Sequence, residues 1–308
     1  MYASSLIGYL VIHMANDQAE QLRLRILQGK NEERCAQIVG IASGKGGVGK
    51  SVFCVNFSLA LGEIGKKVLI IDLDVGMGNV EQLMGKSAQL NIVDAIVNEV
   101  NFQNALVNVT SNVSFIAGGT GLSSLFHLDH GHLSFFIEQL SLIKRDYDFI
   151  IFDFGAGASD DMFHFMLAVN RLILITTPEP PAMADSYSLI KMVYAMKKNL
   201  DISCVVNQTF GRKEGWATWQ RLSSVSERFL GASPSWLASL HRDNDLLMSV
   251  RNQIPCMLNR PQAKYSVEMR ILTRAFLAQC GEQVARRHQS SFGDKVRKYL
   301  KLTRRDEE

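Results

Sequence analysis

No Cys-x-x-Cys pair occurs in the 308-residue sequence; its five cysteines, Cys35, Cys54, Cys204, Cys256 and Cys280, are scattered and odd in number. That spacing argues against a zinc or iron–sulfur site contained in one chain and points to reduced thiols in a cytosolic setting. Net charge is low, +3 from 33 basic and 30 acidic side chains, so no whole-molecule field demands nucleic acid. The charge is uneven all the same, because basic residues gather after Ala285. No apolar run reaches membrane-spanning length. The opening stretch MYASSLIGYLVIH (1–13) is too short, and it lacks the basic leader and small-residue cleavage site of a signal peptide. Met14 begins a more ordinary polar start, so residues 1–13 read as an upstream extension. Internal repeats and low-complexity tracts are absent as well. What is present, 47% hydrophobic and 20% charged residues, suits a globular chain with a sizeable core.

Residues 16–27 read as a short helix, capped by Asn16 or Asp17 and apolar along Leu22, Ile26 and Leu27. The polar stretch GKNEER (29–34) reads as a linker that detaches this helix from the main domain. Continuous apolar runs then occur at 37–42, 67–73, 113–117, 148–152, 171–176 and 202–206, with a shorter one at 236–240. Runs of this kind suit parallel strands covered on both faces. Helical stretches fall between them at 51–63, within 122–145, at 160–169 and at 183–198, and an amphipathic helix at 265–288 closes the series. The alternation predicts an α/β fold: a doubly wound, mainly parallel sheet of about seven to eight strands with helices on both faces. Ligands of such sheets bind outside the carboxyl ends of the strands. The chain divides into an N-terminal extension with its helix and linker (1–35), a main domain (36–288) and a C-terminal amphipathic helix and tail (289–308).

The chemistry concentrates at GKGGVGKS (44–51), between the first apolar run and its helix. The stretch fits the Gly-x-x-x-x-Gly-Lys-Ser phosphate loop. Glycines let the backbone turn and aim N–H groups at phosphate oxygens, Lys50 meets the outer phosphates, and the Ser51 hydroxyl suits Mg²⁺. Two more strands end in acids. VLIIDLD (68–74) carries Asp72 and Asp74 two apart, and DFIIFD (148–153) delivers Asp153 into Gly155-Ala156-Gly157. Acids at the mouth of a sheet beside a phosphate loop suit a Mg²⁺ shell, although the same residues also cap helices and start turns. For phosphoryl transfer to water, Asp74 is the candidate that orients the water, with Asp72 and Asp153 on the metal side and Lys50 neutralising charge. Lys45 lies early in the loop, where it can point away from its own nucleotide towards another subunit.

Together, GKGGVGKS with its early lysine, IDLDVGMGNVEQLMG (71–85) and DFIIFDFGAG (148–157) resemble the MinD/ParA class of deviant Walker ATPases. Within that class the match is to the FlhG family, also called FleN or YlxH, which governs flagellar number and placement. VGMGNV (75–80) resembles its first switch, and TTPEPPAMADSY (176–187) its PEP-containing loop. DQAEQLR (17–23) resembles the DQAxxLR motif that precedes the ATPase domain in that family. The resemblance spans about residues 14 to 302. It implies an ATPase that is Mg²⁺-dependent and slow, with ATP bound by Gly44, Gly46, Gly47, Val48, Gly49, Lys50, Ser51 and Val52. It also implies that Lys45 acts across an ATP-bound homodimer, that Asp74 serves the attacking water, and that Ser51, Asp72 and Asp153 face the metal. Asn207 matches the residue that reads adenine, a role an Asn amide can fill because it donates and accepts at once; on its own, an Asn after a strand is more often a turn residue, and only the resemblance reverses that. Asp17, Gln18, Ala19, Leu22 and Arg23 would contact the signal-recognition-type GTPase FlhF and stimulate it. Family precedent adds flagellar C-ring proteins as partners and gives no reason to expect specific nucleic acid.

Two departures stand out. Val52 replaces a second hydroxyl, and Leu240-His241-Arg242-Asp243 lacks a proline before its acid. At the other end of the chain, SFGDKVRKYLKL (291–302) sets Phe292, Val296, Tyr299 and Leu300 on one helical face flanked by Lys295, Arg297, Lys298 and Lys301. Such a stripe suits a helix lying in an anionic membrane surface, and equally a helix packed on its own domain. The resemblance favours the membrane, at the inner leaflet of the cell membrane, which makes the expected location cytoplasmic and reversibly peripheral. The runner-up function is a MinD- or ParA-type positioning ATPase for septum placement or DNA partition. DNA binding of that kind would draw on Arg212, Lys213, Arg221 and Arg228.

Overall fold

The computed structural model, which describes residues 36–74, 79–119, 130–156, 160–197, 199–284 and 291–305, gathers the apolar runs into one 8-stranded sheet. Its strands are β1 (Gln37–Ala42), β2 (Val68–Leu73), β3 (Val107–Asn108), β4 (Val113–Ile116), β5 (Phe149–Phe154), β6 (Arg171–Thr176), β7 (Asp201–Thr209) and β8 (Ser235–His241). They lie in the order β3-β4-β2-β5-β1-β6-β7-β8. Every pairing is parallel except that of β3 with β4, a two-residue antiparallel addition at one edge. The chain leaves β1 in one direction through β2 and β4, then crosses back past it to β6, β7 and β8. The loop after β1 therefore lies where the winding reverses, the place such sheets reserve for ligands.

Helices cover both faces: α1 (Lys50–Glu63), α2 (Asn79–Met84), α3 (Ile92–Val97), α4 (His130–Ile143), α5 (Asp160–Ala168), α6 (Pro180–Met196), α7 (Arg212–Leu230), α8 (Asn244–Arg251), α9 (Cys256–Asn259), α10 (Lys264–Val284) and α11 (Phe292–Arg305). Because strand side chains alternate, each central strand feeds two cores. Phe149 and Ile151 of β5 join the cluster of Phe53, Phe57 and Phe276 under α1 and α10. Ile150 and Phe152 join that of Phe136 and Phe165 under α4 and α5. Helix α6 starts earlier than its periodicity suggests, since Pro180 and Pro181 occupy its first positions, where a missing N–H costs nothing.

The C-terminal helix differs from the membrane reading. Phe292 and Val296 are buried in the core, and Tyr299 packs against it half-buried, so the face expected on lipid is turned inward here. The ring of Phe292 meets Phe152 and Phe165 at centroid distances of 5.4 and 6.0 Å. Gly293 permits the approach, because a Cβ there would lie 2.3 Å from Ile137 Cγ2. The side chain of Leu300 lies outside the described residues, as do Asp17, Gln18, Ala19, Leu22 and Arg23 and residues 75–78 of the first switch. Among the described residues, no helix is long and apolar enough to cross a membrane.

Candidate phosphate-binding site

Strand β1 ends at Ala42, and the chain turns through residues 43–49 into α1. Gly47 and Gly49 take φ of +81° and +87°, a left-handed backbone that side-chain-bearing residues resist. Gly44 is required for a different reason: its Cβ would fall 2.2 Å from the backbone of Asp185, so the loop rests directly on α6. Ser43 Oγ donates to the Lys45 carbonyl at 2.9 Å and tightens the turn. Asn207, buried after the apolar part of β7, donates its side-chain amide to the Val48 carbonyl at 2.8 Å. It braces the outside of the loop. The loop borders a cleft of about 400 Å³ that Asp74, Asn79, Ala156 and Gln253 also line.

Lys50 opens α1 and is almost fully buried. Its Nζ donates to Asp153 Oδ1 at 2.6 Å and to Ser51 Oγ at 3.3 Å, and lies 3.8 Å from Asp74 Oδ2. Burial alone would lower the pKa of this ammonium, but the adjacent Asp153 carboxylate, its hydrogen bond and Asp74 outweigh burial and raise it. Asp72 and Asp153 are direct register partners on β2 and β5, both fully buried. Burial, then the nearby Asp153 charge, pushes Asp72 up to about 7, against backbone N–H groups of Asp74 and Val80 that donate to it at 2.9 and 3.3 Å. Burial also raises Asp153, opposed by Lys50. Asp72, Asp74 and Asp153 thus lie near one lysine at the mouth of the sheet, although among the described residues no three acidic, histidine or cysteine side chains form a ready metal cluster. Asp153 Oδ2 is buried without a hydrogen-bond partner, and Ser51 offers a hydroxyl beside it. Hard oxygen donors of this kind fit Mg²⁺.

Lys45 behaves differently from Lys50. It is half-buried at the edge of the same cleft, and its Nζ lies 3.9 Å from Glu179 Oε2, just ahead of α6. Glu179 also lies 4.0 Å from Arg242. The structure therefore brings together Gly44 to Val52, Asp72, Asp74, Asp153 and Asn207, while the face of Phe292, Val296 and Tyr299 packs elsewhere, on α4 and α5. Sequence reasoning missed Glu179 as a partner of Lys45, and Gln208, whose side-chain amide donates to the Gly47 carbonyl at 3.4 Å. No spacing rule links residues so far apart in the chain.

The family model described as AAA domain matches residues 36–206. The antiactivator FleN of Pseudomonas aeruginosa is 26% identical over 238 residues, covering 77% of this chain and 85% of its own length. The flagellum site-determining protein YlxH of Helicobacter pylori is 31% identical over 192 residues, 62% of this chain and 64% of that protein. Among solved structures, the septum site-determining protein MinD complexed with Mg-ADP from Pyrococcus horikoshii superposes with a TM-score of 0.65 at 25% identity, covering 80% of this chain and 98% of that one. The family match begins at Ala36 and runs through the phosphate loop and both acid-ended strands, so the loop geometry and the likeness rest on the same residues. The chain belongs to the AAA-domain family and is an ATPase of the FlhG/MinD type.

Proposed function

We propose that this ATPase is an ATP-driven dimeric switch that regulates flagellar number and placement. The observation that carries the reading is Lys45: it stands early on the phosphate loop at the rim of the cleft, paired with Glu179 rather than with the carboxylates around Lys50. A cation so placed can cross to the nucleotide of a second copy. In the chemistry proposed here, the N–H groups of 44–51 hold the phosphates of ATP, and Lys50 moves from Asp153 to the outer phosphates. Release of Lys50 frees Asp153, which with Ser51 and Asp72 would hold Mg²⁺ and its waters. That ion would supply charge neutralisation on the phosphate oxygens. Asp74, half-exposed at the cleft, orients the attacking water, and Asn207 lies on the base side. Val52 offers no hydroxyl to the phosphates.

The ends of the chain would read out the dimer. The Asp17–Arg23 motif would stimulate the GTPase FlhF, and the Phe292, Val296, Tyr299 and Leu300 face would bind the inner leaflet of the cell membrane reversibly, once released from its own domain. Four basic residues near an anionic surface contribute about 1 kcal/mol each, so two copies on a dimer hold better than one. C-ring proteins fit the same flagellar reading. In light scattering, Lys45→Ala is expected to stay monomeric with ATP while retaining nucleotide binding; a dimer of that variant would refute the trans role. Unchanged GTP turnover by FlhF after addition of a peptide of residues 14–30 would remove the activator role. A septum- or DNA-positioning ATPase is the second reading, favoured by the exposed Arg212, Lys213, Arg221 and Arg228 on α7. It requires DNA binding that fades steeply with salt.

A further inference from the structure

We propose that the outward face of α10, with the end of α1 beside it, is a docking surface for an acidic amphipathic helix of a partner protein. It lies apart from the nucleotide: its recess and the cleft at the phosphate loop share no lining residue.

Helix α10 carries two stripes. The inward one, Tyr265, Met269, Leu272, Phe276 and Cys280, is buried and holds the helix to the sheet, with Phe276 edge-on to Phe57 at 5.1 Å. A helix that covers one core needs no second apolar stripe. Yet Val267 and Ile271 stand on the opposite side, one turn apart, 42% and 54% exposed. Lys264 precedes them by a turn and Arg274 follows by another, both exposed. The spacing 264, 267, 271, 274 is that of a helix-packing seam, with an apolar centre and cationic ends. Ile64, just past α1, adds another exposed apolar side chain.

Beside the seam is a recess of about 230 Å³ between the end of α1 and α10, bordered by Ile64, Arg270, Thr273 and Arg274. Cavities of about 150 Å³ already hold a benzene-sized group, so this one admits a partner's side chain. Its walls are fixed. Arg270 donates to both carboxylate oxygens of Glu63, at 2.7 and 2.9 Å, and to the Pro261 carbonyl at 2.6 Å. Thr273 spends its hydroxyl on the Met269 carbonyl at 2.8 Å. Among the described residues, the side chains of Arg274 and Lys264 have neither an ion pair nor a hydrogen bond.

Charge names the partner. From Arg260 to Gly281 the chain carries Arg260, Lys264, Arg270 and Arg274 against a single acid, Glu268. Glu268 faces inward, accepting the His241 N–H at 3.0 Å and pairing with its ring. Asp243, ahead of α8, is spent on the N–H groups of Asp245 and Tyr265. Lys264 and Arg274 are left around an apolar centre, the complement of a helix whose carboxylates flank its own apolar stripe. A second copy of this chain docked through the same face would set these cations against like charges. A nucleic-acid backbone would leave Val267 and Ile271 unmatched.

The test is photo-crosslinking in cells that express the chain natively, with benzoylphenylalanine replacing Ile271 in the full chain. The expected result is an adduct to one protein, mapped by mass spectrometry to a helical segment with acidic residues around an apolar stripe. Arg274→Glu should cut the yield on the order of tenfold, and replacing a carboxylate of the mapped segment by lysine should restore it. That rescue separates lost docking from a damaged fold. An adduct to lipid, to nucleic acid or to a second copy of the chain would overturn the surface. So would the absence of any adduct, or a yield indifferent to Arg274→Glu. None of these outcomes depends on whether the chain dimerises with ATP.

Discussion

At the scale of single residues, the site is built on charges that are costly to bury and tolerated only together. Lys50 and Asp153 form a hydrogen-bonded pair out of water. Removing one member of such a pair strands the other, at about 3–5 kcal/mol. Lys50→Met is therefore expected to lower the denaturation midpoint sharply, and Lys50→Met with Asp153→Asn to recover most of the loss; equal midpoints for the single and double variants would contradict the pairing. Asp72 makes a prediction of opposite sign. Its folded pKa is about 7 against 3.8 for the free group, so the folded state holds its proton more tightly. The stability this contributes is complete below about pH 4 and is lost as pH rises through 7. Asp72→Asn cannot ionise and keeps one acceptor oxygen, enough for one of the Asp74 and Val80 N–H groups that now donate to the two carboxylate oxygens. The stability of nucleotide-free Asp72→Asn relative to the parent is thus expected to rise between pH 4 and pH 8, by at most about 4 kcal/mol, on top of a constant loss of one hydrogen bond. A melting difference that does not change with pH would show that Asp72 is not the titrating group.

At the scale of elements, the same substitution should act in opposite directions on two helices. Gly215 lies inside α7 against β8, and a Cβ there would sit 2.4 Å from Ser239 Cβ. Gly281, near the end of α10, has nothing within 4 Å of the same imagined atom. Gly281→Ala should stabilise by up to about 1 kcal/mol through helix propensity, whereas Gly215→Ala should destabilise by about 1–2 kcal/mol as strand and helix are pushed apart. Chemical denaturation of both variants decides it. This close approach also shows why α7 is hard to find in the sequence. Its buried face is Gly215, Thr218, Leu222 and Ser226, a nearly polar stripe that carries little hydrophobic period. The central strands are legible because burial on both faces writes an unbroken apolar run, and the phosphate loop because positive φ demands glycine at fixed places. Short helices such as α2, α3 and α9 are not, since one turn and a half holds too few positions for a period to show. Contacts such as Lys45 with Glu179 depend on which loops the winding brings together, and local sequence carries no record of that.

At the scale of the whole molecule, the apolar face of α11 has two candidate hosts and can serve only one at a time. Phe292 and Val296 now lie in the domain core, and burying two such side chains is worth about 3–6 kcal/mol before ordering costs. Lipid must offer comparable burial plus its attraction for the basic flanks, so membrane residence on this reading is a competition with docking. Two substitutions separate the competitors. Val296→Asp spoils the face for both hosts and should abolish binding to anionic liposomes. Gly293→Gln leaves the apolar stripe unchanged, but its side chain has no room against Ile137 and should loosen α11 from α4. The second variant is expected to co-sediment with liposomes more than the parent protein, and with less dependence on ATP, while the sheet retains its circular dichroism. If Gly293→Gln binds no better than the parent, docking does not limit access to the membrane. The basic helix would then be a fixed part of the domain surface, as its buried phenylalanine already allows.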